Sequence, residues 1–386
     1  MENTKVRIVC IGIGGYAQVY WKSLFADKSD DFEIVGGVDP YPETAKFYPD
    51  IVARGIPVYP DMESFFAEKT ADLAIITTPI HLHTRQIISA LEHGMNVLCE
   101  KPLSGVSADA ELIEEAVKKS GKFVMIGYQW SYAKAILDLK RDILAGKLGA
   151  PVMLKTKILW PRDTNYFKRG SGWAGRLHAK DGTPIFDSVA ANACAHYLHN
   201  MLFVCGSEGL AAEARNVRAV LLRTNDIENF DTATVSFELP SGAKCLFLAT
   251  HSSSINQNPM FTYKFEKATV EYDENTKMIR ATFEGGEVKE YGDPFAGAPD
   301  GGKSRTAILG TKSGDFKPAC THITAAEHAK CIEKIQAFPI TAVPADMIEK
   351  NGEKLYIPGL TEALRECYER EVLLDETELY GRIVKR

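Results

Sequence analysis

The chain has 386 residues, 45% of them hydrophobic and 25% charged, with a formal net charge of −6. That length fits two domains able to bury their own cores without disulfide or metal staples. There is no lysine or arginine block and no apolar run of bilayer-spanning length, which argues against nucleic acid or membrane as main partner.

The N-terminus, MENTKVRIVC, leads almost directly into a strand and leaves no room for a signal peptide. The eight cysteines are scattered without a CxxC pair. Cys10 and Cys99 lie inside apolar runs and read as small buried hydrophobes of a reducing compartment, so a cytoplasmic location is expected.

Short apolar runs at Lys5–Ile11, Phe32–Val38, Leu73–Thr77, Asn96–Cys99 and Lys122–Ile126 read as parallel strands covered on both faces. Helices are expected between them. Thr84–His93 puts Ile87, Ile88 and Leu91 on one side and ends at Gly94. Ser107–Ser120 opens on a cap residue, carries Asp109 and Glu111 early and Lys118 and Lys119 late, and ends at Gly121. Alternating strands and helices predict an α/β Rossmann domain over residues 1–128, a doubly wound parallel sheet.

From residue 129 the pattern changes. A helix is expected over Lys134–Gly146. Strands of period two follow: Thr234–Leu239 puts Val235, Phe237 and Leu239 on one face and Thr234, Ser236 and Glu238 on the other. Phe261–Glu266 alternates in the same way, and Met278–Tyr291 reads as a hairpin about Gly285-Gly286. Pro294–Arg305 reads as a mobile loop. Helices near Thr324–Phe338 and Thr361–Leu374 close the chain. Residues 129–386 therefore form a C-terminal α+β domain with an open, mostly antiparallel sheet. The uncovered face of such a sheet suggests a homo-oligomer, a dimer or larger.

Gly12-Ile13-Gly14-Gly15-Tyr16-Ala17 follows the first strand and fits G-x-G-x-x-G/A. Gly12 allows the tight turn, Gly14 lets backbone approach a pyrophosphate, and Ala17 lets the helix pack close. Alone such glycines also describe a plain turn. Asp39, at the end of the second strand, is placed to accept ribose hydroxyls and to repel a 2′-phosphate, so NAD is expected rather than NADP. A turn role before Pro40 is the plainer alternative.

Glu100-Lys101-Pro102 follows the strand Asn96–Cys99, at the sheet edge where open α/β sheets bind ligands. There the Lys101 ammonium can approach nicotinamide and a substrate hydroxyl, and Pro102 fixes the backbone and permits a cis bond. A surface lysine before a turn is the alternative.

With Gly12-x-Gly14-x-x-Ala17, Thr78-Pro79 with His83 four residues on, Glu100-Lys101-Pro102 and this two-domain layout, the chain resembles the glucose-fructose oxidoreductase / inositol dehydrogenase / MocA family. The resemblance implies an NAD(P)-dependent oxidoreductase of sugars, cyclitols or their derivatives. It implies that Lys101 contacts cofactor and substrate, and that Gly15, Tyr16, Thr78, Pro79, His83 and Glu100 belong to the cofactor region. Gln129 and Trp130 follow the last Rossmann strand, and facing the nicotinamide or packing inside are equal readings for Trp130.

Many family members carry a motif like D-x-G-x-H in the second domain, with the histidine as acid/base. In Asp187–Phe203 here, His196 matches the histidine but Asn192 stands in place of the aspartate. On one helix Asn192 and His196 share a face, and Asp187 is the candidate to take over the acid role. His196 suits removal of a hydroxyl proton; helix packing is its alternative. His196 and His199 have metal-compatible spacing without a carboxylate-rich partner set, so no metal is expected. His199 reads as polar lining or packing.

Upstream, Trp160, Arg162, Tyr166, Trp173 and Arg176 give a segment rich in aromatics and arginine. Aromatic faces pack on sugar rings and arginine forks bind hydroxyls or carboxylates. A substrate loop and a subunit-interface loop are equal readings. The expected substrate is a small sugar or glycoside bound between domains, oxidised at one ring carbon, with carbon 3 as the specific choice. A redox-neutral NAD-dependent glycosidase and a non-catalytic NAD-binding regulator are the alternatives.

Overall fold

The computed structural model describes residues 5–168, 172–273, 275–297 and 300–385. They fall into two units. The first takes in the chain up to Ser104, Ala108–Tyr132 and Ala296–Ala326; the second takes in Gly105–Ser107, Ala133–Phe295 and Glu327 onward. Sequence reasoning drew a single boundary after residue 128, and the returning segment 296–326 has no compositional mark that would assign it to the first unit.

In the first unit, strands β1 (Val6–Ile11), β2 (Phe32–Val38), β3 (Val58–Tyr59), β4 (Leu73–Ile76), β5 (Asn96–Cys99) and β6 (Val124–Ile126) form one sheet in the order β3-β2-β1-β4-β5-β6. All neighbours run parallel. The central strands are continuously apolar because helices cover both faces; every residue of β4 is buried. The strand order reverses between β1 and β4, which opens the crevice at their C-terminal ends. Helices His83–Glu92 and Asp109–Ser120 pack together, as do Ala17–Ala26 and Lys303–Ser313. Ala307 and Ile308 of the last helix join Ile8, Cys10, Trp21, Ile75 and Leu98 in one core.

The second unit is built on a nine-stranded mixed sheet. Its strands are β7 (Pro151–Leu159), β8 (Arg215–Arg223), β9 (Thr232–Glu238), β10 (Lys244–Thr250), β11 (Gln257–Phe265), β12 (Ala268–Asp273), β13 (Met278–Phe283), β14 (Val288–Gly292) and β15 (Ile340–Ala342). The order is β14-β13-β12-β11-β7-β10-β9-β8-β15, antiparallel except for β7/β10 and β8/β15. One face carries helix Ala195–Val204 against β7.

The other face is not open as the sequence suggests. Helix Leu360–Arg370 and the residues after it bury Met153, Leu159, Val220, Leu222, Leu246 and Leu248. Thr234, read as outward, is buried and accepts the Leu374 N–H at 3.1 Å. Further along the same face, Glu271, Arg280 and Glu290 sit opposite one another across β12, β13 and β14. Self-association by pairing of an uncovered apolar face therefore has no support from these strands. Among the described residues no helix is long and apolar enough to cross a membrane.

Candidate active-site residues

The glycine loop follows β1 because Gly12 turns the chain at φ +80°, a left-handed conformation that a side chain resists. A Cβ there would lie 3.0 Å from Thr78 Cγ2 and 3.1 Å from its backbone nitrogen. At Gly15, φ +55°, a Cβ would meet nothing within 4 Å, so the loop is open on that side. Ala17 is buried at the start of helix Ala17–Ala26, and Tyr16 is partly exposed. Asp39 holds this loop through Oδ2, which accepts the Ile13 N–H at 3.0 Å, while Oδ1 closes its own turn by accepting the Tyr41 N–H at 2.9 Å. An open glycine turn before a helix N-terminus, with a half-buried carboxylate beside it, fits the pyrophosphate and ribose of a dinucleotide.

Thr78 and Pro79 follow β4; the Thr78 hydroxyl donates to Gln86 Oε1 at 2.5 Å. His83 is only 1% exposed. Each ring nitrogen faces a backbone carbonyl, Nδ1 that of Pro102 and Nε2 that of Thr78, both at 2.9 Å. Burial lowers its pKa and the two carbonyls oppose that shift. His83 thus ties the Thr78 turn to the Pro102 turn from inside.

Lys101 is half-buried just past β5, and the Lys101–Pro102 peptide is cis. Glu100 is 5% exposed and pairs with Lys303, which is 0% exposed. Oε1 also accepts the Tyr20 hydroxyl at 2.5 Å, and Oε2 accepts the Lys101 backbone N–H at 3.1 Å. Burial, then the Glu100 charge, raises the Tyr20 phenol well above its usual pKa. Gln129 begins a short 3-10 turn, and Trp130 in that turn is buried, which favours the packing reading.

In the second unit, the segment after Asp187 is not one helix. Val189–Ala193 forms a π-helical turn, capped by Ser188 Oγ accepting the Ala191 N–H at 3.1 Å, and helix Ala195–Val204 starts after Cys194. The face-sharing argument for Asn192 and His196 does not carry across that junction. Asp187 is buried; Oδ1 accepts Asn192 Nδ2 at 2.8 Å and Oδ2 the Gly175 N–H at 2.6 Å. It fastens the turn to segment 172–177 and is not presented as a free acid. His196 is half-buried, its ring 6.4 Å from that of Tyr197. His199 is 1% exposed and stacks on Phe203, which favours the packing reading. Among the described residues no group of three or more His, Cys, Asp or Glu is arranged to hold a metal ion.

Arg162 sits among the aromatic rings of this segment. Its guanidinium lies 5.4 Å from the Trp160 ring and 4.9 Å from the Tyr166 ring. Trp160 packs edge-on to Tyr197, next to His196 in sequence, at 5.7 Å. Its Nε1 donates to Asn258 at 2.9 Å. His251, missed by sequence reading, packs against Tyr166 and bonds the Trp160 carbonyl through Nδ1 at 2.8 Å. Trp173 is half-buried, and exposed Arg176 pairs with Glu228 at 3.6 Å. Residues 169–171 of this segment lie outside the described residues.

Comparison with known proteins bears on these residues. Residues 6–128 match the sequence model of the Gfo/Idh/MocA oxidoreductase family, NAD-binding Rossmann fold. The inositol 2-dehydrogenase of Salmonella typhimurium is 31% identical over 145 residues, 37% of this chain and 43% of that protein. The chain thus spans under half the length of this curated relative. The WlbA dehydrogenase of Bordetella pertussis, solved with NADH and UDP-GlcNAcA, superposes with a TM-score of 0.68 at 21% identity, over 87% of this chain and 96% of that one. The UDP-N-acetylglucosamine 3-dehydrogenase GnnA of Acidithiobacillus ferrooxidans gives 0.67 at 17%, over 86% and 97%. At these identities the structural likeness speaks for the fold.

Proposed function

We propose, on the match of residues 6–128 to the sequence model of the Gfo/Idh/MocA oxidoreductase family, that the chain moves hydride between NAD and a ring carbon of a sugar or glycoside. The observation that carries this is the mounting of Lys101. A buried carboxylate fixes its backbone at the C-terminal edge of β5, in the same unit as an open glycine turn. The loop Gly12–Ala17 and Asp39 hold the dinucleotide, and the Asp39 charge favours NAD over NADP. Bound NAD supplies the hydride acceptor.

Within the chain, His196 takes the proton of the substrate hydroxyl as the C–H hydride leaves, and the Lys101 ammonium steadies the developing alkoxide. Trp160, Tyr166 and Trp173 offer faces to the ring, and Arg162 binds a polar substituent. Asn192 and Asp187 hold the His196 segment. Reduction of an oxo-sugar is the same chemistry reversed. The name of the curated relative, an inositol 2-dehydrogenase, supports a secondary ring hydroxyl as the site of oxidation; carbon 3 is the position to test first.

The test is a panel of free sugars, inositols and glycosides, aryl glycosides among them, with NAD, followed at the NADH absorbance. His196→Ala is expected to lower turnover by roughly 10²–10⁴-fold, the usual worth of a general base. NADH formation from none of the panel, or full turnover by His196→Ala, sinks the assignment. Cleavage of an aryl glycoside without net NADH identifies a redox-neutral glycosidase instead. NAD binding with no reaction identifies a regulator.

A further inference from the structure

Lys303 is completely buried in the first unit. Its ammonium meets Glu100 Oε1 and lies 3.3 Å from the Gly127 carbonyl, between the rings of Tyr16 (5.4 Å) and Tyr20 (5.1 Å). Glu100 passes this contact on, because its second oxygen accepts the Lys101 N–H. The space is closed from the β6 side: a Cβ on Gly127 would lie 2.8 Å from Glu100 Oε1. Lys303 is itself fixed. Asp300 accepts the Gly302 N–H at 3.0 Å and the Ser304 N–H at 2.8 Å, and Ala307 and Ile308 anchor the helix in the core.

We infer that Lys303 is a positioning residue for Lys101, acting through Glu100. The reading rests on Lys101 being the substrate-side lysine. A carboxylate in so dry a place needs a counter-charge. Without the ammonium it takes up a proton or turns toward water, and either change removes the strong acceptor from the Lys101 backbone. The substrate-side ammonium then starts from a backbone no longer held in one place. Lys303 lies 203 residues from Glu100, in a segment with no catalytic motif.

The experiment compares the full chain with Lys303→Met and with the doubly neutral Glu100→Gln/Lys303→Met, which leaves no uncompensated buried charge and keeps the test alive if the single variant does not fold. Expected is a fall in kcat of roughly 10- to 100-fold, the cost of an ångström-scale misplacement. KM for NAD and for substrate stay within about threefold. The double variant recovers the melting temperature but not kcat. A second readout needs no substrate: the ¹³C-dimethyl resonance of Lys101, assigned by its absence in Lys101→Arg, shifts in both variants. Wild-type kcat with an unmoved Lys101 resonance in a folded variant overturns the inference. Should the wild type turn over no substrate at all, the functional reading falls, and the resonance alone decides the role of Lys303.

Discussion

Glu100 and Lys101 are neighbours in sequence, yet the carboxylate finds its cation on Lys303. Local signals at the residue scale were legible: Gly12 needed a positive φ, and Asp39 ended a strand beside the glycine loop. Partners chosen by burial were not, because nothing in a one-dimensional pattern marks which lysine will be desolvated. His199 is a second case. Burial, reinforced by the nearby His328 and by the Lys140 ammonium, pushes its pKa well below the ordinary histidine value. The native ring therefore stays neutral while the unfolded chain takes up a proton below about pH 6.5. Stability from this group is present above pH 6.5 and is lost as pH falls toward the native pKa, by at most about 1.4 kcal/mol per pH unit. His199→Gln is expected to flatten the fall of stability between pH 6.5 and 5, read from urea midpoints at several pH values. An unchanged slope would show that His199 binds its proton alike in both states.

Secondary-structure elements were read well where periodicity ran long and poorly where a side chain was diverted. The helix expected from Ser107 has no side-chain cap and is entered through Ala108. The Ser107 N–H and hydroxyl go to the Glu333 carboxylate at 2.6 and 2.7 Å. The loop read as running to Arg305 already becomes helix at Lys303, with buried Asp300 and Ser304; residues 298 and 299 lie outside the described residues. The π-turn Val189–Ala193 replaced a continuous helix, and Asp187 shows what it is fastened to. Asp187→Ala leaves the Gly175 N–H without its buried acceptor, at about 1–3 kcal/mol. It is expected to lower the melting temperature and to speed limited proteolysis within 172–177, mapped by mass spectrometry. Unchanged cleavage there would mean that Ile227, packed against Gly175, and the backbone bonds of Gly175, Arg176 and Leu177 hold the segment without the carboxylate.

At the scale of the whole molecule, the chain covers part of its own sheet. Leu360, Leu364, Cys367, Leu374 and Ile383 are buried over β7, β8 and β10, where an exposed apolar face would otherwise invite a partner. Deleting residues 345–386 is expected to turn the protein into a self-associating or precipitating species by sedimentation velocity. A truncated chain that remains the same soluble species as the full one refutes this covering role. By itself the sequence determined the parallel α/β unit, its glycine turn, the place of Lys101 at a strand end and the period-two strands of the second unit. Each of these follows from backbone preference or from burial repeated at short range. Only the tertiary structure decided that Lys303 balances Glu100, that His83 and His199 face inward, that Asp187 is fully engaged and that one sheet face is closed. The physical reason is common to all four. Desolvation makes a buried charge or polar group take whatever partner the fold brings to it, and that partner is set by contacts between residues far apart in the chain.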